Sequence, residues 1–345
     1  MGNVKLLDCT LRDGGYVNDW NFGEDAIAGI IMNLEISGVD IIELGFIRNE
    51  DENSDRVVFN GMRSVKKLLR RTKAKNRQYA VMAEVINPFP LDMLDPYDDE
   101  SPEIIRVIVW KRMLKEGFEY CKGIVEKGYK LCVQPARVSQ YSDNEFVDMI
   151  KMFNDLDPMA VYVVDSWGTM YKDKLLHYLK LADENLKDGI GVGYHGHNNM
   201  MQAFDVAQAF CEQELERDLI IDSSVYGIGR GAGNLNTELF AKWANERMGS
   251  TYDIVPFIRI YDEYVKRIYS HSEKWGFSLP YLITAKHGAN PNFAKYLCGK
   301  GLSCEFMEEC ISRIPKSDRI IFRPEIADKY IYETQTGRER RRCSK

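Results

Sequence analysis

Short apolar runs alternate with amphipathic ones along the first 250 positions of the chain. The runs at 5–10, 40–46, 78–84, 103–110, 129–135, 160–167, 189–197 and 219–227 are rich in valine and isoleucine. Strands buried on both faces read this way. Between them lie stretches with helical spacing. In 23–37, Ile27, Ile30, Ile31 and Leu34 recur on one helical face. The segments 111–127, 144–156, 172–186, 198–215 and 235–248 behave alike, with Asn144 and Asp173 as expected N-caps.

Strands alternating with helices predict a parallel sheet with crossover helices. Eight such units in about 250 residues are what a TIM (β/α)8 barrel needs. An open doubly wound sheet would want G-x-G-x-x-G after the first strand, where this chain has D-C-T-L-R-D-G-G, 8–15. The third unit is weak: a proline-containing stretch at 87–102 stands where a helix belongs. The pattern changes after Gly249. A long amphipathic helix is expected over 253–275, then two further helical stretches up to Ile314 and an apolar run at 319–322. The expected organisation is a catalytic barrel at 1–250 and a helical appendage at 251–345, covering the barrel mouth or mediating association.

Composition narrows the partners. The chain has 345 residues, 45% of them hydrophobic, and a net charge of −6 with both signs interspersed. No phosphate-tracking surface emerges, so nucleic acid is not expected as a partner. The one dense basic run, Arg338, Arg340, Arg341, Arg342 and Lys345, reads as a solvated terminus. No apolar run reaches the ~18 residues of a membrane span, and the N-terminus lacks a signal-peptide pattern. The eight cysteines are scattered without a C-x-x-C pair, as expected for free thiols in a reducing cytoplasm.

In such a barrel, function collects at the C-terminal ends of the strands. Strand 7 ends in Y-H-G-H-N-N, where His195 and His197 at i and i+2 share a face. Paired imidazoles on one face suit a metal. Asp8 ends strand 1, near enough in a closed barrel to complete a two-His–one-carboxylate set. Such ligands suit Mg²⁺, Mn²⁺, Fe²⁺, Co²⁺ or Zn²⁺. Asn234 ends the glycine-rich G-I-G-R-G-A-G-N after strand 8, able to cap a helix or offer an oxygen to the metal. Arg12 is placed to stabilise developing negative charge, with Asp13 to orient it or bind substrate. Glu43 sits in I-I-E-L-G-F, an apolar strand in which a carboxylate needs a partner or a task. Arg137, Asp165 and Ser166 follow strands 5 and 6 as substrate-binding candidates. An Fe(II) oxygenase and a barrel without catalysis compete with a metal-dependent lyase on these residues alone.

The three motifs D-C-T-L-R-D-G, H-G-H-N-N and G-I-G-R-G-A-G-N, at 8–14, 195–199 and 227–234, together resemble the DRE-TIM metallolyases, the HMGL-like or pyruvate carboxyltransferase group. The resemblance implies a TIM barrel that binds a divalent ion, Mn²⁺ or Mg²⁺ first and Co²⁺ or Zn²⁺ as alternatives. It matches Asp8, His195 and His197 to the metal ligands and Arg12 to the group that stabilises the enolate. Glu43 and Asp165-Ser166 match the family's I-E-x-G strand and its D-S/T-x-G stretch. The implied reaction is an aldolase or lyase step beside a 2-oxo acid, through a pyruvate-type enolate, with an aldehyde as partner; the alternative is an acyl-CoA Claisen condensation. A homodimer and an aldehyde dehydrogenase partner are also implied. The chain departs from the family in two places. The glycine-rich loop has no cysteine, and Tyr16 stands where 4-hydroxy-2-oxovalerate aldolases carry a histidine base. A free tyrosine, with pKa ~10, is a poor base at neutral pH. Tyr281, His271 and His287 of the appendage are therefore rival candidates for the base.

Overall fold

The computed structural model describes residues 2–72, 77–272 and 274–343. Eight parallel strands form the sheet: β1 (Val4–Asp8), β2 (Ile41–Ile47), β3 (Gln78–Glu84), β4 (Ile104–Val109), β5 (Lys130–Pro135), β6 (Ala160–Asp165), β7 (Gly191–Gly196) and β8 (Leu219–Ser223). Each pairs with its sequence neighbour, and β1 pairs with both β2 and β8, so the sheet closes on itself. This is the TIM barrel that the strand count predicts. A two-residue strand, Val58–Phe59, adds to the outer part of β2.

The helices α1 (Glu24–Ser37), α2 (Met62–Thr72), α3 (Leu114–Glu126), α4 (Asp143–Phe153), α5 (Lys172–Asn185), α6 (Ala203–Cys211) and α7 (Thr237–Arg247) surround the barrel. Helix α2 was not expected from the sequence. Residues 85–103, between β3 and β4, hold no helix, as the prolines predict. Both cap expectations fail by two positions. Ser142, not Asn144, caps α4, and with Glu145 it forms a capping box. Tyr171 occupies the N-cap of α5, which leaves Asp173 in the first turn, where its charge still favours the helix dipole.

Register decides what faces inward. Laterally paired residues of neighbouring strands project to the same face, and successive residues alternate. Leu7 pairs with Asp222, and Asp8 with Ser223. Asp222 points into the barrel, where it meets Arg106 and His195. Asp8 therefore points outward, to the helix layer, and there it accepts from Thr237 Oγ1 at 2.6 Å. Inside the barrel, Arg106 of β4 is fully buried. It bridges Glu43, at 2.8 Å, and Asp222, with its guanidinium over the Tyr162 ring. Buried charges of this kind persist when they are paired on every side.

Beyond the barrel, α8 (Val255–Ile260), a π-helical turn (Tyr261–Val265) and α9 (Lys266–His271) form the long helix expected at 253–275. Phe257, Ile260, Val265 and Trp275 belong to the barrel's own core. A separate core, including Phe293, Leu297, Met307, Cys310, Ile311 and Ala327, joins α10 (Leu279–Lys286), α11 (Asn292–Gly299), α12 (Cys304–Arg313) and α13 (Pro324–Cys343). Helix α13 corrects the reading of a solvated terminus at Arg338, while Arg340 is exposed as expected. Ala327, Tyr330, Ile331 and Thr334 recur at helical spacing on a buried face. Arg338 pairs with Glu309 at 2.8 Å and lies over the Phe306 ring. Lys345 lies outside the described residues. Among the described residues no helix is long and apolar enough to cross a membrane.

Candidate active site

The turn after β1 places the central charges. Asp13 N donates to Cys9 O at 2.8 Å, a single helical turn that brings Arg12 and Asp13 back across the C-terminal mouth. Trp20 Nε1 donates to Arg12 O at 2.8 Å and pins the turn. Gly15 is needed there because a Cβ would collide with the Trp20 indole. Asp13, His195 and His197 converge: one ligand atom of each lies within 4.8 Å of the others, and all three residues are buried.

The carboxylate that meets the histidines is thus Asp13, where the sequence pointed to Asp8. Both Asp8 oxygens are engaged elsewhere, Oδ1 by Thr10 N at 2.9 Å and Oδ2 by Thr237. Burial pushes the Asp8 carboxyl up to about 6 from 3.8, against the hydrogen bonds from Thr237 and Thr10. The folded chain then holds a proton that the unfolded chain releases between those two values. Stability falls as pH rises through that window, and the full cost, about 3 kcal/mol, is present above it. Asp8→Asn keeps the shape, and Thr237 Oγ1 still has Ser223 Oγ as a partner at 2.7 Å. The expected result is an unchanged or raised Tm at pH 8, with the advantage shrinking by pH 4. A pH-independent loss of stability in calorimetry would contradict it.

The histidines are prepared for a cation. Nδ1 of His195 lies 3.0 Å from Asp222 Oδ2, and Nδ1 of His197 lies 3.2 Å from Gly233 O. A carboxylate and a carbonyl can only accept, so each Nδ1 carries a proton and each Nε2 is the nitrogen left for the site. The rings stand 5.2 Å apart at 88°. Burial pushes His197 down to about 4, against the pull of Asp13, so the ring is a neutral ligand at neutral pH. Burial would raise the Asp13 carboxyl, but Arg12 and the two histidines outweigh it and hold the group well below the usual range.

Asp13 is held on both sides. Its Oδ1 accepts from Asn234 Nδ2 at 3.0 Å and from Arg230 N at 3.3 Å. Its Oδ2 accepts from Arg12 Nη1 and lies 3.8 Å from His195 Nε2. Gly229 lets the loop after β8 close over this point, since a Cβ there would collide with Asn234 Nδ2 and Asp13 Oδ1. Asn234 reaches the site through Asp13, and its own Oδ1 is buried without a partner. An orphaned amide oxygen beside one ionised carboxylate and two imidazoles is a donor set that a divalent cation can take.

Arg12 links this cluster to the barrel interior, with Nε donating to Glu43 Oε2 at 2.7 Å. Burial disfavours its charge, but Glu43 and Asp13 outweigh burial and keep it protonated. Glu43 therefore has two cationic partners, Arg12 and Arg106.

The other predicted residues occupy outer positions. Asp165 accepts from Met170 N at 2.8 Å and from Thr169 Oγ1, closing the loop after β6, while its backbone O accepts from His197 N at 3.2 Å. Ser166 Oγ accepts from Arg137 N at 3.1 Å. Arg137, at φ +60°, lies between the Trp110 and Trp167 rings, 4.8 and 5.1 Å from their centroids. Burial, with Arg230 and Arg112 nearby, pushes its guanidinium down to about 10. Tyr16 stacks edge-on against Trp20 at 4.9 Å, and burial raises its hydroxyl above 10 although Arg12 pulls the other way. Tyr16 and Tyr281 line one cavity of about 350 Å³ between the barrel mouth and the appendage. His271 is exposed, bonded to Arg267 O, and His287 faces Glu308 at 2.9 Å, so the cavity walls hold neither.

Three contributors escaped the sequence reading: Asp222, Arg106 and Arg230. The first two lie in I-I-D-S and I-I-R-V, charges inside apolar strands, which is the signal that had singled out Glu43.

A closed parallel barrel with a carboxylate and two imidazoles at its C-terminal mouth defines a TIM-barrel protein with a buried cluster that could hold a metal ion. Residues 109–278 match the HMGL-like family model. It is 25% identical to oxaloacetate decarboxylase of Mycobacterium tuberculosis over 248 residues, 68% of this chain and 67% of that one. It is 24% identical to 4-hydroxy-2-oxovalerate aldolase of Bacillus cereus over 254 residues, 73% and 72% of the two chains. The N-terminal domain of a candidate aldolase from Bacteroides vulgatus shares the fold, with a TM-score of 0.72 and 23% identity over 84% of this chain and 95% of that one.

Proposed function

We propose that the protein is a divalent-metal-dependent lyase acting on 2-oxo acids, making or breaking the C3–C4 bond, between the carbon beside the carbonyl and the next, through a pyruvate-type enolate. The observation that carries this reading is the Asp13–His195–His197 cluster with Arg12 held against Asp13. A divalent ion there, Mn²⁺ or Mg²⁺ first, would supply Lewis acidity toward the keto oxygen and carboxylate of a pyruvate-like unit. Arg12 is charged and buried, and a guanidinium has five N–H groups. Those left over from Glu43 and Asp13 can serve an oxyanion developing beside Asp13. Asp222 and the Gly233 carbonyl keep both imidazoles in one tautomer throughout. The site is nearly dry, with His195 and His197 5% and 8% exposed, which strengthens each of these interactions.

Within this class we favour aldol cleavage of a 4-hydroxy-2-oxo acid to pyruvate and an aldehyde. Tyr16 and Tyr281 line the cavity where the aldehyde half would lie. Tyr16→Phe is expected to lower kcat by about a hundredfold or more if its hydroxyl moves the proton. Near-normal turnover in steady-state assays would give that role to Tyr281. A second reading, decarboxylation of a 2-oxo acid with a 3-carboxylate, is favoured by the raised pKa of Tyr16. That reaction needs no base to start, and a protonated tyrosine suits the later delivery of a proton to the enolate carbon. The test is chelator-stripped protein reloaded with Mn²⁺ or Mg²⁺, incubated with 4-hydroxy-2-oxo acids and with oxaloacetate, and assayed for pyruvate. Metal-dependent pyruvate is expected. None from any of these substrates would sink the reading, and thiol release from acetyl-CoA would move the protein to Claisen chemistry.

A further inference from the structure

The cavity of about 350 Å³ lies between the loop after β8 and the N-terminal end of α11, and Arg230 links it to the candidate metal site. Tyr16 follows Asp13 by three residues, and Arg230, which lines the cavity, donates its backbone N–H to Asp13 Oδ1. Among the described residues that line it are two cations, Arg230 and Lys295, and no carboxylate. Asn290 and Asn292 hold Arg230 Nη2 through neutral amide oxygens, at 3.0 and 3.1 Å. Among the described residues no carboxylate lies within ion-pair distance of its guanidinium. The buried and half-buried Arg12, Arg48, Arg56 and Arg106, by contrast, each pair with an acid. Asn292 begins the eight-residue α11, so the positive end of that helix also faces the cavity. Arg137, stacked between two tryptophans and likewise without a carboxylate among the described residues, is close enough for Arg230 to repel it. Arg230 and Arg137, half-buried cations that repel one another with no carboxylate paired to either among the described residues, are costly unless something anionic joins them.

We propose that this cavity is the subsite for an anionic terminus, carboxylate or phosphate, on the half of the substrate that departs as the aldehyde, gripped by Arg230 with Lys295 beside it. The assignment rests on the aldol reading above and adds the substrate class: a 2-oxo acid charged at both ends. Asn290 and Asn292 act as positioning residues, because they hold the guanidinium at the wall without neutralising it. The volume suits this, as cavities of roughly 300 Å³ and above take small organic ligands.

Two measurements test it. The first is calorimetric titration of chelator-stripped protein with inorganic phosphate and, separately, with succinate, with neutral acetone as control. At least one anion is expected to bind saturably, and which of the two binds tighter tells phosphate from carboxylate. Arg230→Gln should weaken that binding about ten- to a hundredfold, the worth of a charged hydrogen bond, while Arg230→Lys should recover most of it. Lys295→Gln, with the fold checked by circular dichroism, should weaken it too. The second compares kcat/KM for pyruvate release from 4-hydroxy-2-oxo acids ending in a carboxylate or phosphate with a methyl-ended analogue. A preference of about tenfold or more is expected, and it should collapse toward one in Arg230→Gln. No anion binding, binding that Arg230→Gln leaves within twofold, or no preference in the wild type would overturn the subsite. The titration needs no turnover. Anion binding without pyruvate from any substrate would therefore count against the aldol reading alone, and pyruvate without anion binding against the subsite alone.

Discussion

Asp13→Asn abolishes stoichiometric divalent-ion binding, while Asp8→Asn leaves it intact: this is the result expected from elemental analysis of the two purified variants after equilibration with Mn²⁺. Both carboxylates are buried and belong to one heptapeptide, so sequence alone gives them equal claims. The structure separates them by direction. Asp8 faces the helix layer and gives both oxygens to Thr10 and Thr237. Asp13 faces the mouth and meets both histidines. The amide at position 13 keeps the shape and the acceptor toward Asn234 and Arg230, so the loop after β8 should stay closed. It removes the negative charge, and an amide oxygen is a much weaker ligand than a carboxylate. Removing a residue that merely orients a ligand typically costs ten- to a hundredfold in affinity, so losing a ligand should cost at least about a hundredfold. Circular dichroism should show both variants folded. Retention of the ion by Asp13→Asn, with loss in Asp8→Asn, would return the ligand role to Asp8.

This contrast also shows where the sequence stops being legible. The barrel could be read because each strand is a short apolar run set between helical spacings, a signal written locally. The histidine pair could be read because positions i and i+2 of a strand share a face wherever the strand lies. Asp8 misled because its direction depends on register with a partner 215 positions away: only the pairing of Leu7 with Asp222 reveals that position 8 points out. Asp13 depends on a helical turn after the strand, fixed by Trp20 and by the room that Gly15 leaves, and neither is a periodic feature. Arg106 and Asp222 pair across the barrel interior, a contact between strands far apart in sequence. The last helix was hidden for another reason. Its final turns are so basic that they resemble a solvated tail, although Ala327, Tyr330, Ile331 and Thr334 keep a buried stripe, and Glu309 accounts for Arg338.

Arg12→Lys is expected to lower kcat for pyruvate formation by a factor of about 10² to 10³ while leaving a folded, metal-binding protein. The lysine substitution is the informative one. Removing the cation altogether would leave Glu43 and Asp13 short of a partner in a dry interior, a change of about 3–5 kcal/mol that would confuse stability with catalysis. Lysine keeps the charge, but as a point donor it cannot span Glu43 Oε2 and Asp13 Oδ2 while also turning N–H groups toward a substrate oxygen. If Arg12 meets the oxyanion only as charge develops, the loss appears in kcat and in kcat/KM alike, and KM for the 2-oxo acid stays within a few-fold. If Arg12 serves mainly to tie Asp13 to the barrel, the loss appears instead as weakened metal binding, and saturating Mn²⁺ restores the rate. Steady-state kinetics across a metal titration separates these outcomes, and full rescue by metal would remove Arg12 from the chemical step.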